Sequence, residues 1–521
     1  MANRSTDILF QLIRSLQKSE KRNFKLYIHR NSGNQDLKMV ELFDAIDHMD
    51  GYDESLLLKK VPSIKKQQLS NAKAHLYKQI LSSLRLLKST ESIDMQLHEQ
   101  LDYAKILYNK GLHLQSLKIL ERAKELARIH NQDSLLMQVI SMEKKIETLH
   151  ITRSIQNRAE LLAGEALEVN NRRAIITGLS NLALKLYSWY VQHGHARNRE
   201  DQKHIDKFFY ENLPADAHLQ KGFYERMYLY QSYCWLGFIR QDFLMYYRNT
   251  QKWVDLFHAN PSMLETETAH YIKGMHNLLN AHFDLRNYQK FAYTLKQFEA
   301  FSQSDIPNRH ETHRIHTFVY LNSARLNLEM IVGNFTGGLA IAPAIEEKLK
   351  EYSLFIDSHR VLVLNYKIAT LHFGAGNYEV CIDYLRKIIN DQVNLRNDLQ
   401  CYARLVHLLA HYELGNEDIM DHLTKSVYRF MARMKNLTVI EEEIFKFLKK
   451  SFTLKKSALK PELEKFLATI EKYQNDRYAT RAFSYLDLVS WVQSKLYNKS
   501  MNQVIREKYL ASNRRIAYGT L

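Results

Sequence analysis

The chain has 521 residues, with 73 Lys and Arg against 57 Asp and Glu, a formal charge of +16. Its 16 Gly and 6 Pro are about a third of the usual share, too few to punctuate a β-sandwich, barrel or propeller, which reverses roughly every ten residues. With 45% hydrophobic and 25% charged residues and no run of 18 apolar ones, the composition argues against wholesale disorder and against a membrane-spanning helix and leaves an all-α globular chain.

Residues 1–90 read as a basic region of four or five shorter helices. The first is expected to be capped near Ser5 or Thr6, with Leu9, Leu12, Ile13 and Leu16 on one face. Arg4, Asp7, Arg14 and Lys18 interrupt any apolar leader, so no secretory signal is expected and the chain is expected in the cytoplasm. The loop Met49-Asp50-Gly51-Tyr52-Asp53 separates an acidic helix around Glu41 to Asp47 from Leu56 to Lys60, and a long basic helix follows from about Ser63 to Lys88. Charge is unevenly spread: residues 1–90 sum to +7, residues 91–420 to −1 and residues 421–521 to +10. Contact with a polyanion therefore belongs to the two ends, although lysines such as Lys449, Lys450, Lys455, Lys456 and Lys460 are also what solvated helix faces carry.

From about residue 91 a short turn phrase recurs between helix-like runs. It stands as Lys110-Gly111-Leu112-His113, Arg240-Gln241-Asp242-Phe243, Leu285-Arg286-Asn287-Tyr288, Val332-Gly333-Asn334-Phe335, Ala375-Gly376-Asn377-Tyr378 and Leu414-Gly415-Asn416-Glu417. With the second residue of each as a marker, the later steps are 45, 47, 43 and 39 residues. The gap between markers 111 and 241 has room for three such steps, divided by Gly194 and by a turn near Arg153. At 2, 5, 9 and 12 residues after the marker stand Tyr288, Phe291, Leu295 and Phe298; Tyr378, Cys381, Leu385 and Ile388; Phe243, Tyr246, Thr250 and Trp253; and His113, Ser116, Leu120 and Ala123. Those offsets stack on one helix face, which must bury.

The phrase and its downstream spacing resemble the turn between the two helices of a tetratricopeptide repeat. The resemblance covers roughly residues 95–430 and implies an α-solenoid of antiparallel helix pairs, with the basic helical regions 1–90 and 431–521 as caps. The units are longer than the family's ideal 34 residues, Pro343 interrupts one second helix, and HEAT-like pairs of 40–47 residues suit the length as well. In that family the groove-facing positions lie 13, 10, 9, 6 and 3 residues before the marker used here. Counting back gives Lys273, His276, Asn277, Asn280 and Phe283 before Arg286; Tyr320, Ser323, Ala324, Asn327 and Met330 before Gly333; Val363, Tyr366, Lys367, Thr370 and Phe373 before Gly376; and Tyr228, Gln231, Ser232, Trp235 and Phe238 before Gln241. Asparagine offers both a donor and an acceptor to a peptide backbone, Lys273 and Lys367 offer charge to an acidic segment, and Trp235 and Phe283 accept apolar side chains. The candidate groove residues are thus Lys273, Asn277, Asn280, Phe283, Asn327, Tyr366, Lys367, Thr370 and Trp235.

Catalytic and cofactor motifs are missing. No GxxxxGK[ST] loop occurs, and His310-Glu311-Thr312-His313-Arg314-Ile315-His316 lacks the HExxH spacing. Cys234, Cys381 and Cys401 form no CxxC and read as buried apolar residues. His282, His372 and His411, each four residues before a marker, read as interior, hydrogen-bonded stand-ins for an aromatic. The expected function is a non-enzymatic cytoplasmic scaffold without cofactor or metal, binding a partner protein or peptide. The alternative is a nucleic-acid or ribonucleoprotein factor, a regulatory one included, acting through the basic ends.

Overall fold

A computed structural model describes residues 7–31, 37–89, 91–150, 157–353, 355–391, 397–474, 476–479 and 481–515, and among them all regular structure is helical, with no strand. The chain divides into two compact units, residues 1–171 and 172–521. The division falls inside the span read from the sequence as one repeat domain.

The first unit opens with α1 (Ile8–Ser15), α2 (Lys18–Asn31), α3 (Leu37–Asp47), α4 (Glu54–Lys60) and α5 (Lys66–Leu87). The cap of α1 is Asp7, whose carboxylate accepts from the Leu9 and Phe10 amides at 3.1 Å; Ser5 and Thr6 lie outside the described residues. Leu9, Phe10, Ile13, Phe24, Phe43 and Leu76 meet in one apolar core. Next come α6 (Ile93–Asn109), α7 (His113–Ile129) and α8 (Asp133–His150), packed in succession on a second core that takes in Ala166 and Val169 of α9 (Arg158–His193). The division between units falls within α9. An ion-pair cluster is buried here: Lys124 of α7 contacts Glu143 and Glu165, and Arg158 lies 3.2 Å from Glu143.

The second unit continues with α10 (Arg199–Asn212), a 3-10 turn at Ala217–Leu219, α11 (Phe223–Ile239), α12 (Phe243–Ala259), α13 (Met263–Thr266), α14 (Thr268–Asp284), α15 (Tyr288–Gln303), α16 (Asp305–Asn308) and α17 (Glu311–Val332). After them run α18 (Phe335–Ala340), α19 (Ala342–Glu351), α20 (Ser358–Gly374), α21 (Tyr378–Ile389), α22 (Asn397–Glu413) and α23 (Glu417–Arg433). The remainder is α24 (Val439–Ser451), α25 (Lys456–Lys472), α26 (Arg481–Tyr485), α27 (Leu488–Leu496) and α28 (Met501–Ala511). Helices joined by a marker turn pack on each other: α11 on α12, α14 on α15, α17 on α18, α20 on α21 and α22 on α23. Pairs also pack on their successors, α12 on α14, α14 on α17, α17 on α20 and α21 on α22. Pro343 sits in the first turn of α19, where its missing N–H costs nothing, and α18 stops just before it.

The turns explain the recurring phrase. All six markers, Gly111, Gln241, Arg286, Gly333, Gly376 and Gly415, have positive φ, between 49° and 82°. The amide after each marker bonds back across the helix end, as Asp242 to the Gly237 carbonyl at 2.8 Å and Asn287, Asn334 and Asn377 to those of His282, Glu329 and His372 at 2.9 Å. That is the left-handed closure of a helix C-terminus. At three of the six turns the Asp or Asn supplying the amide also caps the next helix through its side chain, Asp242 to the Met245 amide, Asn287 to that of Lys290 and Asn334 to that of Gly337, whereas Leu112, Asn377 and Asn416 make no such bond. At those three turns two residues end one helix and start another. Downstream, every residue counted at offsets 5, 9 and 12 after markers 111, 241, 286 and 376 is buried; at offset 2 only Tyr288 is, while His113, Phe243 and Tyr378 are half-buried. The turn expected near Arg153 lies outside the described residues.

Beyond α25 the chain returns along the turn ends of the earlier helices. Tyr485 stacks on Tyr402 at 4.0 Å and its carbonyl accepts from the Tyr366 hydroxyl at 3.2 Å. Trp491 donates to Glu413 at 2.7 Å, Arg506 donates to the Val332 carbonyl at 3.3 Å, and Arg514 donates to that of Leu285 at 3.2 Å. No helix among the described residues is long and apolar enough to cross a membrane.

Candidate functional site

Three successive helices, α14, α17 and α20, bring most of the counted residues together. The Tyr320 ring of α17 is the centre: His276 of α14 stacks on it at 4.0 Å, Lys273 stands 5.5 Å from its centroid, and Arg360 of α20 donates to its hydroxyl at 3.3 Å. One turn along, Asn280 bonds to the His276 ring at 3.1 Å, and Lys367 of α20 reaches across to donate to Asn327 of α17. Asn277 is half-buried on the same stretch of α14. Lys273, His276, Asn277, Asn280, Tyr320 and Lys367 therefore line one polar face across three helices, while Asn327, which accepts from Lys367, is buried at 3% exposure. Stacking and cation–π contacts of this sort contribute about 0.5–2 kcal/mol each and fix side-chain direction.

Electrostatics on this face are set by burial among cations. Burial pushes the His276 ring well below its usual range, and Lys273, Lys367 and Arg360 push it further. His316 falls to about 4 through burial with Arg360, His313 and Lys273. Burial raises Asp284 to about 7 although Arg286 and Lys367 oppose it. Burial opposes ionisation of Tyr320 as well, yet Lys273 and Arg360 outweigh it and hold the phenol below its ordinary value.

The other counted residues go elsewhere. Tyr366 and Thr370 are buried, Tyr366 against Tyr485, and Phe283 and Thr370 line a cavity of about 230 Å³ whose far wall is Phe483, Leu486, Met501 and Ile505. The positions expected to receive a partner's apolar groups thus face this chain's own residues 483–505. Trp235 lies in a separate aromatic cluster with Tyr187, Tyr190 and Phe238, at centroid distances of 5.2, 5.7 and 5.9 Å. Counting back from the turn missed His316 and Arg360, because α17 and α20 each extend a turn further from the marker than the counted positions reach; the length of the helix-like run is the signal for them.

The histidine readings hold in part. His282 and His411 are buried and His372 is half-buried. His411 is bonded by Asn416 at 2.9 Å, whereas Nδ1 of His282 and of His372 has no hydrogen-bond partner among the described residues. Ring contacts hold those two, with Tyr247 at 5.3 Å and Tyr384 at 5.5 Å. The expectation that all three are hydrogen-bonded is corrected accordingly. The His310 and His313 rings meet edge to face at 5.2 Å, and among the described residues no group of three or more His, Cys, Asp or Glu is placed to hold a metal ion. All three cysteines are buried.

Many basic residues of the chain ends are engaged internally. Lys21 pairs with Asp47, Lys25 with Asp44, Lys88 with Glu20, Lys73 with Asp7, Lys450 with Glu462, Lys495 with Glu413 and Lys499 with Glu507.

The depressed histidines imply a pH dependence of stability. His282, His316 and His407 fall to about 4, chiefly through burial. Above about pH 6.5 these rings are neutral in both states; below it the unfolded chain binds protons that the folded chain refuses. Asp284 acts oppositely, since its raised carboxyl keeps a proton in the folded state that the unfolded chain has lost. With these three rings and those of His276, His313, His372 and His411, which burial also lowers, set against the raised carboxyls of Asp284 and Glu329, the second unit loses stability as the pH falls from about 6.5 towards 4, at up to about 1.4 kcal/mol per pH unit for each uncompensated proton. Urea unfolding at pH 7, 6 and 5 measures the slope, and His282→Asn should reduce it; a pH-independent midpoint excludes the effect.

Compared with protein-family models, curated proteins and solved structures, the chain matches none.

Proposed function

We propose that the protein is a non-enzymatic scaffold of tetratricopeptide-like helix pairs that binds an extended segment of a partner protein along the face shared by α14, α17 and α20. In this reading the pairs stack into a solenoid and the three helices line its concave side. The supporting observation is a pair of polar links across the three helices, Lys273 and His276 with Tyr320, and Lys367 with Asn327. A solenoid whose inner helices only had to fold would fill that face with apolar or unlinked polar residues. Amide, phenol and ammonium groups at a regular spacing are what an extended backbone requires. Residues 483–487 close the apolar end, so the partner occupies the polar stretch. A nucleic-acid role at the chain ends draws less support, because so many of those cations are committed to internal pairs.

Replacing Asn277 by a photo-crosslinking phenylalanine analogue in the protein's own cells tests this. The expected product is an adduct to one extended segment of one partner, lacking when the analogue is placed at Tyr293, which is 66% exposed on α15. Equal adducts at both positions, or none at position 277, refute the reading.

A further inference from the structure

A second concave surface of the same unit lies between α11 and α12. It is a cleft of about 410 Å³, within the roughly 300–1,000 Å³ range of small-ligand pockets. Leu229 of α11 and Met245 of α12 give it apolar walls, and Tyr230 and Tyr233 add two phenol rings one turn apart on α11. Arg248, Asn249 and Lys252 line it from α12, at spacings of three and four residues from Met245 that put them on one face of that helix.

The two rings are used differently. Tyr233 is committed: its ring meets Phe209 at 4.9 Å and its hydroxyl bonds to the His218 ring at 3.0 Å. Tyr230 is half-buried and has no ring partner among the described residues; the Lys252 ammonium stands over it at 5.9 Å. Asn249 donates once, to the Met245 carbonyl at 2.9 Å, which leaves a second N–H and its carbonyl oxygen to spare. Arg248 and Lys252 are exposed and make no hydrogen bond or ion pair among the described residues. Asp242, the acid of the lining, is engaged within the chain, 3.5 Å from Arg477 and accepting from the Met245 amide at 3.0 Å.

These groups narrow the class of ligand. An open ring face takes a flat π system and tolerates its identity. An amide with a spare donor and acceptor pairs with a donor and an acceptor side by side on a flat edge, as Asn does with adenine. Two cations four residues apart on one helix suit the nearly double charge of a phosphate better than the single charge of a carboxylate. A nucleobase carrying a phosphate combines all three features, whereas an aromatic carboxylic acid lacks the edge and half the charge. We infer that the cleft between α11 and α12 binds a nucleotide unit, the base on Tyr230 and Asn249 and the phosphate on Arg248 and Lys252. The site goes beyond the scaffold role and stands independently of it, since none of these residues belongs to α14, α17 or α20.

The full-length protein, at constant ionic strength, is titrated calorimetrically with the four ribonucleoside 5′-monophosphates, adenosine, ribose 5-phosphate and the dipeptide glutamyl-tryptophan. AMP should bind about tenfold or more tightly than adenosine, which lacks the phosphate, and than ribose 5-phosphate, which lacks the base. Tyr230→Leu should weaken AMP about tenfold and leave ribose 5-phosphate unchanged. Arg248→Gln with Lys252→Gln should bring AMP down to the affinity of adenosine; both positions are exposed, so this variant keeps the test valid if Tyr230→Leu folds poorly. Lys425→Gln, at an exposed lysine paired with Asp421, should change nothing. A single-stranded adenylate octamer that binds more than eightfold more tightly than AMP identifies the nucleotide as part of a strand, and a smaller gain identifies a free nucleotide. No binding of any monophosphate or of the octamer at millimolar concentration overturns the assignment, as does AMP matched by adenosine, ribose 5-phosphate or glutamyl-tryptophan, or AMP binding unchanged in both cleft variants.

Discussion

Gly333→Ala should destabilise the second unit by about 2–5 kcal/mol, several times the cost of the same change at Gly376. Both glycines sit at φ near +70° to +82° in equivalent turns, where any L-residue costs about 1–2 kcal/mol. The difference is their surroundings. A Cβ at Gly376 meets nothing within 4 Å, whereas at Gly333 it would stand 2.7 Å from the Arg506 backbone nitrogen and 2.8 Å from the Asn502 carbonyl oxygen. Those are main-chain atoms of α28, which cannot turn aside as a side chain can, so the helix must lift and loosen Met501, Val504 and Ile505. Thermal melts of the two variants give the ranking. Hydrogen exchange should show faster exchange in α17 and α28 for Gly333→Ala only; equal losses in the two variants would mean that α28 tolerates displacement.

In the first unit, Lys124→Met should cost about 3–5 kcal/mol. Glu143 is only 1% exposed, and burial holds its carboxyl above the ordinary range even with Lys124 and Arg158 beside it. Removing the ammonium leaves a charge, or a proton taken up at a cost, inside an apolar core. Arg158 at 3.2 Å remains and places the loss nearer the lower figure. The double change Lys124→Met with Glu143→Leu should recover most of the stability, because two apolar side chains of similar volume replace the pair. Urea unfolding of the single and double variants decides it: if the double variant is as unstable as the single one, the loss comes from packing around α7 and not from the stranded carboxylate.

How much of this was legible before any coordinates follows from the range of the interactions. A left-handed residue, followed by Asn or Asp in five of the six marker turns and by Leu112 in the other, is a local device, so the turns could be named from four-residue phrases. The equivalent turns at Asn131, Lys435 and Asn498, which also have positive φ, lack the Gly-Asn wording and escaped notice. Burial of Phe291, Leu295 and Phe298 followed from helical periodicity, again a local property. The polar face was half legible: spacing within each helix placed Lys273, Asn280, Asn327 and Lys367 on one side, and stacking of the helices joined them. The part that failed to show was the return of the chain. Tyr485 meets Tyr366 and Tyr402, and Arg506 meets Val332, across separations of 83 to 174 residues, and no periodicity in residues 479–487 announces such contacts. Trp235 was misplaced with the groove because its neighbours Tyr187 and Tyr190 belong to α9, outside any repeat phrase.

That return also orders events during synthesis. Helices α14 to α22 leave the ribosome well before residues 481–511, so Tyr366, Tyr402 and the turn at Gly333 stand bare until the final stretch is made. Chain segments fold in the order they are made, and a nascent molecule stalled before α27 would carry an open seam where the finished one carries a sealed edge. Premature termination near residue 480 would accordingly yield a sticky species, recognised by chaperones, and not merely a shorter version of the protein.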